Sequence, residues 1–127
     1  MMKQRFWVIV KVALALLMIV AGVIHLVKPN VYLPIIPSFI PFKLAVVYIS
    51  GLVEIVIGVL LLLKKKYAKI GAVGFLLLMI VFLPIHILDA LADQPAIGTH
   101  TVAYIRIVVQ FVIIALAWKL YRVLPKK

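Results

Sequence analysis

Four long apolar runs, each about as long as a bilayer core is thick, decide what this chain can fold into. A hydrocarbon core needs about 20 apolar residues per helix. The runs fall at approximately Phe6–Val27, Leu44–Leu63, Ile70–Leu91 and Val102–Val123. Inside lipid the backbone must satisfy its own N–H and C=O groups, so each run has to be helical. The connectors are short, and 68% of the 127 residues are hydrophobic, more than a soluble domain of this size can hide. The expected architecture is all-α: a polytopic four-transmembrane-helix bundle in which residues 1–127 form one membrane domain. Such a chain is integral to a membrane and multi-pass; in a bacterium the membrane would be that of the cell.

The start, MMKQR, is basic like that of a signal peptide. The apolar run behind it is longer than an h-region of about 7–15 residues, and no small-residue cleavage site follows, so it is expected to stay as the first helix.

The net charge of +11 reads as a topology signal rather than a nucleic-acid surface, because of where the cations lie. Ten of the fourteen lysines and arginines fall on one side of a four-pass topology: Lys3, Arg5, Lys64, Lys65, Lys66, Lys69, Lys119, Arg122, Lys126 and Lys127. Lys28 and Lys43 fall on the other side, and Lys11 and Arg106 lie within helices. That bias is the positive-inside pattern and sets both termini in the cytoplasm. With no cysteine, the chain carries no thiol–disulfide exchange, iron–sulfur ligation or thiolate metal site of its own.

Against this apolar background the polar residues stand out. Glu54 interrupts the run VVYISGLVEIVIGVLLLL, and a charge near the bilayer centre costs about 2.5–3.5 kcal/mol on insertion scales. Gly51, Glu54 and Gly58 recur at spacings of three and four, which puts small residues on the face of the carboxylate and points it toward a neighbouring helix. Ala21, Gly22 and His25 repeat the arrangement near the end of the first helix. The third helix carries Pro84, expected to kink it and free the carbonyl of Ile80, then His86, Asp89 and Asp93 on one face. The fourth stacks Arg106 one turn above Gln110.

His25, Glu54, His86, Asp89, Arg106 and Gln110 thus converge on the outer half of the membrane from all four helices. By depth, Glu54 lies about 16 Å and Arg106 about 6 Å along their helices. A guanidinium reaching inward would close much of that gap and Gln110 lies one turn deeper, so the expected pairing is Glu54 with Arg106 and Gln110, serving either a ligand site or an architectural pin between the second and fourth helices. Two alternatives use other chemistry. His25 and His86 have the ligand type for haem but no attachment motif. His86, Asp89, Asp93 and His100 have the type for a metal at the outer face, though no metal site is assigned.

The first connector, residues 28–43, holds Pro29, Pro34, Pro37 and Pro41 among apolar residues, so it can be neither a regular helix nor a span. An interfacial anchoring loop and a lid folded over the bundle mouth are both open for it.

Gly22-x-x-His25-x-x-x-Pro29, the proline-rich connector with Pro37 and Pro41, Val47-Tyr48-x-Ser50-Gly51-x-x-Glu54, and Arg106-x-x-x-Gln110 together resemble the DoxX-like family of small four-helix membrane proteins. The third helix departs: Pro84-Ile85-His86 stands where that family commonly has Pro-Ala-Asn, and Asp89 follows, which would add a pH-dependent property. The resemblance implies a four-helix fold with a polar core. It also implies kinship with membrane subunits of quinone-dependent sulfur oxidation, maturation factors for periplasmic dehydrogenases, and receptor-assembly chaperones.

The leading functional expectation is a membrane subunit of a redox system that binds a quinone-like amphiphile. Its head group would meet His25, Tyr48, Ser50, Glu54, His86, Arg106 and Gln110. The isolated chain has no electron carrier, so catalysis of its own is not expected and a redox partner is. The alternative is a non-enzymatic assembly or chaperone protein that recognises partner helices of a client, with the polar cluster structural. A proton-coupled transporter is a third class, for which four helices without a repeat would need a homodimer. Membrane lipids are partners in every case.

Overall fold

A computed structural model describes residues 2–64 and 66–125. Lys65, Lys126 and Lys127 of the basic set lie outside the described residues. The fold is all-helical: α1 (Met2–Val27), α2 (Lys43–Leu62), α3 (Lys66–Leu91) and α4 (His100–Val123). All four are long and apolar enough to cross a membrane. Helices α1, α3 and α4 begin two to four residues before the apolar runs do. Polar residues such as Lys3 and Lys66 continue the helical hydrogen bonding into the headgroup layer, so hydrophobicity marks the span and not the helix end.

The helices pack in the cyclic order α1, α2, α3, α4, with α4 closing sparsely on α1. Across the diagonals, α1 to α3 and α2 to α4, no Cα atoms of the described residues approach within 8 Å. The α1–α2 seam is the most extensive, and glycines make it close. A Cβ on Gly22 would stand 2.5 Å from the Gly51 carbonyl oxygen, and one on Gly51 would stand 2.9 Å from that of Gly22. Deeper along the seam, a Cβ on Gly58 would meet the Ala15 carbonyl at 2.8 Å. Backbone meets backbone, which is how helices attract in lipid, where no hydrophobic effect drives them together.

The bundle is stratified. Leu14, Met18, Ile57, Leu61, Phe75 and Leu120 belong to an apolar core toward the basic end. Toward the opposite end the buried polar residues are His25, Glu54, Asp89 and Gln110. Side chains such as Leu52, Val56, Leu77 and Val108 point outward, more than half exposed, as they would toward acyl chains. The connector forms two short 3-10 turns, Pro29–Val31 and Leu33–Ile35. The second reaches past α2 to touch α3, and Ile36 behind it is buried, so the connector folds across the bundle mouth. Phe42, in the left-handed region at φ 54°, turns the chain into α2.

Candidate polar centre

The polar residues gather as two groups, one at each hairpin. In the α1–α2 group, Glu54 is 2% exposed and its Oε2 lies 3.0 Å from Nδ1 of His25. Gly22 and Gly51 explain the meeting. They face each other across antiparallel helices, and His25 and Glu54 each stand three residues beyond their glycine. Side chains lean toward the N-terminus of their own helix, so the two converge from opposite directions. The Nδ1 hydrogen of His25 serves the Ala21 carbonyl at 2.7 Å, since a carbonyl can only accept. Glu54 Oε2 is left buried without a hydrogen bond. Over this pair lies Tyr32 of the connector, stacked on His25 with ring centroids 3.6 Å apart and planes at 14°. Burial, and then the Glu54 charge, push the Tyr32 phenol above its ordinary 10.0, so it is a hydroxyl at neutral pH.

In the α3–α4 group every carboxylate and amide oxygen is occupied. Arg106 donates through an NH2 group to Asp89 Oδ2 at 2.8 Å. The backbone N–H of Ala96 donates to Asp89 Oδ1 at 2.7 Å, and that of Ile97 to Oδ2 at 3.4 Å, so one carboxylate also shapes the α3–α4 loop. Gln110 accepts from His86 Nδ1 at 2.5 Å and donates to the Met79 carbonyl at 2.8 Å. Its amide thereby braces α3 on both sides of Pro84, through the carbonyl next to that of Ile80. At the outer loop Thr99 caps α4 by accepting from Val102, and His100 Nε2 donates to Ala92 at the end of α3.

The expected bond from Arg106 and Gln110 to Glu54 is therefore corrected. The two helices stand on a diagonal, so an inward reach from α4 does not bring the residues together; each takes a partner on the adjacent helix. Tyr48 and Ser50 do not join the centre. Tyr48 is six residues from Glu54, about 240° round the helix, and is exposed on the outer surface. The Ser50 hydroxyl donates to the Val47 carbonyl of its own helix at 2.9 Å. His25 and His86 stand on diagonal helices, each with its Nδ1 hydrogen engaged within its own group, so the structure joins neither to the other. Among the described residues no three His, Asp or Glu side chains gather as metal ligands. Tyr32 was missed. Its spacing from His25 across a proline-rich turn carries no periodicity from which a contact could be read.

The family model described as Domain of unknown function (DUF8561) matches residues 14–121, which include every member of both groups. No curated protein and no solved structure matches the chain.

Proposed function

The chain belongs to the DUF8561 family, and we propose that it binds an amphiphile with a quinone-like head group at Glu54 and His25, under Tyr32. The observation that carries this is the buried Glu54 oxygen without a hydrogen bond. A buried polar atom left unbonded costs about 1–3 kcal/mol, a cost that a ligand hydroxyl donating to it would remove. A carbonyl ligand would be served by the same group in its protonated form. Tyr32, on a connector with no regular secondary structure beyond two short turns, is the cover that such a head group would displace. The redox setting is supported by the resemblance to DoxX-like proteins alone; electrons would come from a redox partner.

A second reading has its own support. The α3–α4 group has all its carboxylate and amide oxygens bonded, with Arg106 Nε alone left buried without a partner, and reads as architecture; the glycine seam makes Glu54–His25 equally able to serve as a pin in an assembly protein that packs on client helices. Mass spectrometry of small molecules retained in mild detergent separates the two, comparing the wild type with Glu54→Gln at equal helical content and melting temperature. A stoichiometric quinone or related amphiphile lost in the variant supports the ligand site. Equal retention, or bulk lipid alone, overturns it in favour of the assembly protein.

A further inference from the structure

The sparse α1–α4 seam opens at the basic end into a groove of about 460 Å³, within the about 300–1,000 Å³ typical of ligand pockets. Leu120, Val123 and Leu124 form one wall, and Lys3, Trp7 and Lys11 the other. The last three recur every four residues and so share a face of α1. Lys11 lies about 12 Å deeper than Lys3. It is half-buried and lines the groove, and a lysine stem leaning toward the N-terminus of its helix carries its ammonium toward the basic face. An apolar trough with cations along one side is complementary to an acyl chain under an acidic head group.

Charge placement identifies the occupant. The chain has three acidic side chains, Glu54, Asp89 and Asp93. Glu54 and Asp89 are committed to the polar groups, and Asp93 follows α3 at the opposite end. Among the described residues neither Lys11 nor Lys3 makes a side-chain hydrogen bond or an ion pair. Lys69 shows what the alternative looks like: its Nζ donates to the Leu124 carbonyl at 3.2 Å and lies 4.6 Å from the centre of the Tyr121 ring. A lysine held within the membrane thickness with no protein anion has one abundant anion at its depth, the head group of the leaflet.

We propose that the α1–α4 groove is a dedicated site for one anionic phospholipid of the leaflet at the basic face, its acyl chain along Leu120 and Val123 and its phosphate at Lys11 and Lys3. This site is independent of the Glu54 reading and stands if that one fails.

The test uses Trp7, one of two tryptophans. The full chain carrying Trp118→Phe is reconstituted in phosphatidylcholine vesicles, and Trp7 quenching by brominated phosphatidylglycerol is compared with quenching by brominated phosphatidylcholine. The anionic lipid is expected to win by at least about fivefold in relative association, and Lys11→Gln to cut that preference about fivefold, from about 1 kcal/mol per lysine near an acidic surface. Lys11→Arg keeps the preference, and millimolar inorganic phosphate does not displace the lipid. Lys3→Gln, at the exposed end of the helix, must lower the preference too and decides the matter should Lys11→Gln fail to fold. Equal quenching by both lipids, a preference untouched by Lys11→Gln or Lys3→Gln, or displacement by free phosphate overturns the site.

Discussion

The two hairpins solve the problem of polar groups in lipid in opposite ways. Between α3 and α4, Asp89, Arg106, His86 and Gln110 are tied pairwise, to the loop backbone and to the Met79 carbonyl, and every carboxylate and amide oxygen is bonded, although the donor Arg106 Nε is buried without a partner. Between α1 and α2, Glu54 is buried more deeply than any of them, yet Oε2 has only the flank of an imidazole whose hydrogen is aimed elsewhere. The hairpin with more polar residues is the one with less for a ligand to do. Density of polar residues within a membrane therefore marks cohesion as readily as a site; an unsatisfied acceptor under a removable cover is the better discriminator.

Removing one partner at each corner sharpens the contrast. The largest effect is expected from Asp89→Ala, which strands Arg106 and two loop amides: about 3 kcal/mol or more of stability is lost. Denaturant titration in detergent measures it, and any bound amphiphile should be retained by the fraction that stays folded. A loss below 1 kcal/mol would remove the claim that this corner is architecture. Gln110→Leu comes next, at about 1–3 kcal/mol, because His86 and Met79 lose their partners in a buried site. Gly51→Ala falls in the same range, about 1–3 kcal/mol, since its Cβ would meet the Gly22 carbonyl and the His25 Cβ. Glu54→Gln should lie within about 1 kcal/mol of wild type by the same titration, as no aligned hydrogen bond is given up, while retention of the ligand disappears. The reverse outcome, a large loss of stability with unchanged retention, would make the corners alike.

The smallest effect is a pH dependence. The Tyr32 phenol is raised in the folded state, so its contribution to stability is full below pH 10 and is lost as pH rises through the folded value. Melting temperatures from pH 8 to 11, wild type against Tyr32→Phe, should coincide at the lower end and diverge above 10, with the wild type falling further. Parallel curves throughout would show that Tyr32 lies in water.

Most of the fold was legible because lipid leaves so few options. Four runs of about 20 residues mark four helices, and the spacing of Gly51 and Gly58 marks a face for close approach, though not that α1 is the helix that takes it. The polar residues were legible as a layer but not as pairs. Periodicity assigns a residue to a face, and depth assigns it to a level; neither says which helix stands at that face. An inward reach of Arg106 toward Glu54 is compatible with their depths, but the diagonal between α2 and α4 separates them. The signal for the pair that does form was present: Gly22-x-x-His25 and Gly51-x-x-Glu54 are the same pattern on consecutive helices, which antiparallel packing turns toward each other. Tyr32 had no such signal, because contacts made by a connector depend on how four prolines fold it.

That each side-chain pair between helices joins sequential helices bears on how the chain enters the membrane. A newly made segment carrying a lone carboxylate or guanidinium inserts at a cost. Here Glu54 arrives when His25 is already present, and Arg106 and Gln110 arrive after Asp89 and His86. Either hairpin can bring its acidic residue to its partner before the other exists, leaving the α2–α3 and α1–α4 seams as the last to form. Exchanging α2 with α4 would keep every residue while leaving both hairpins unpaired at the moment of insertion.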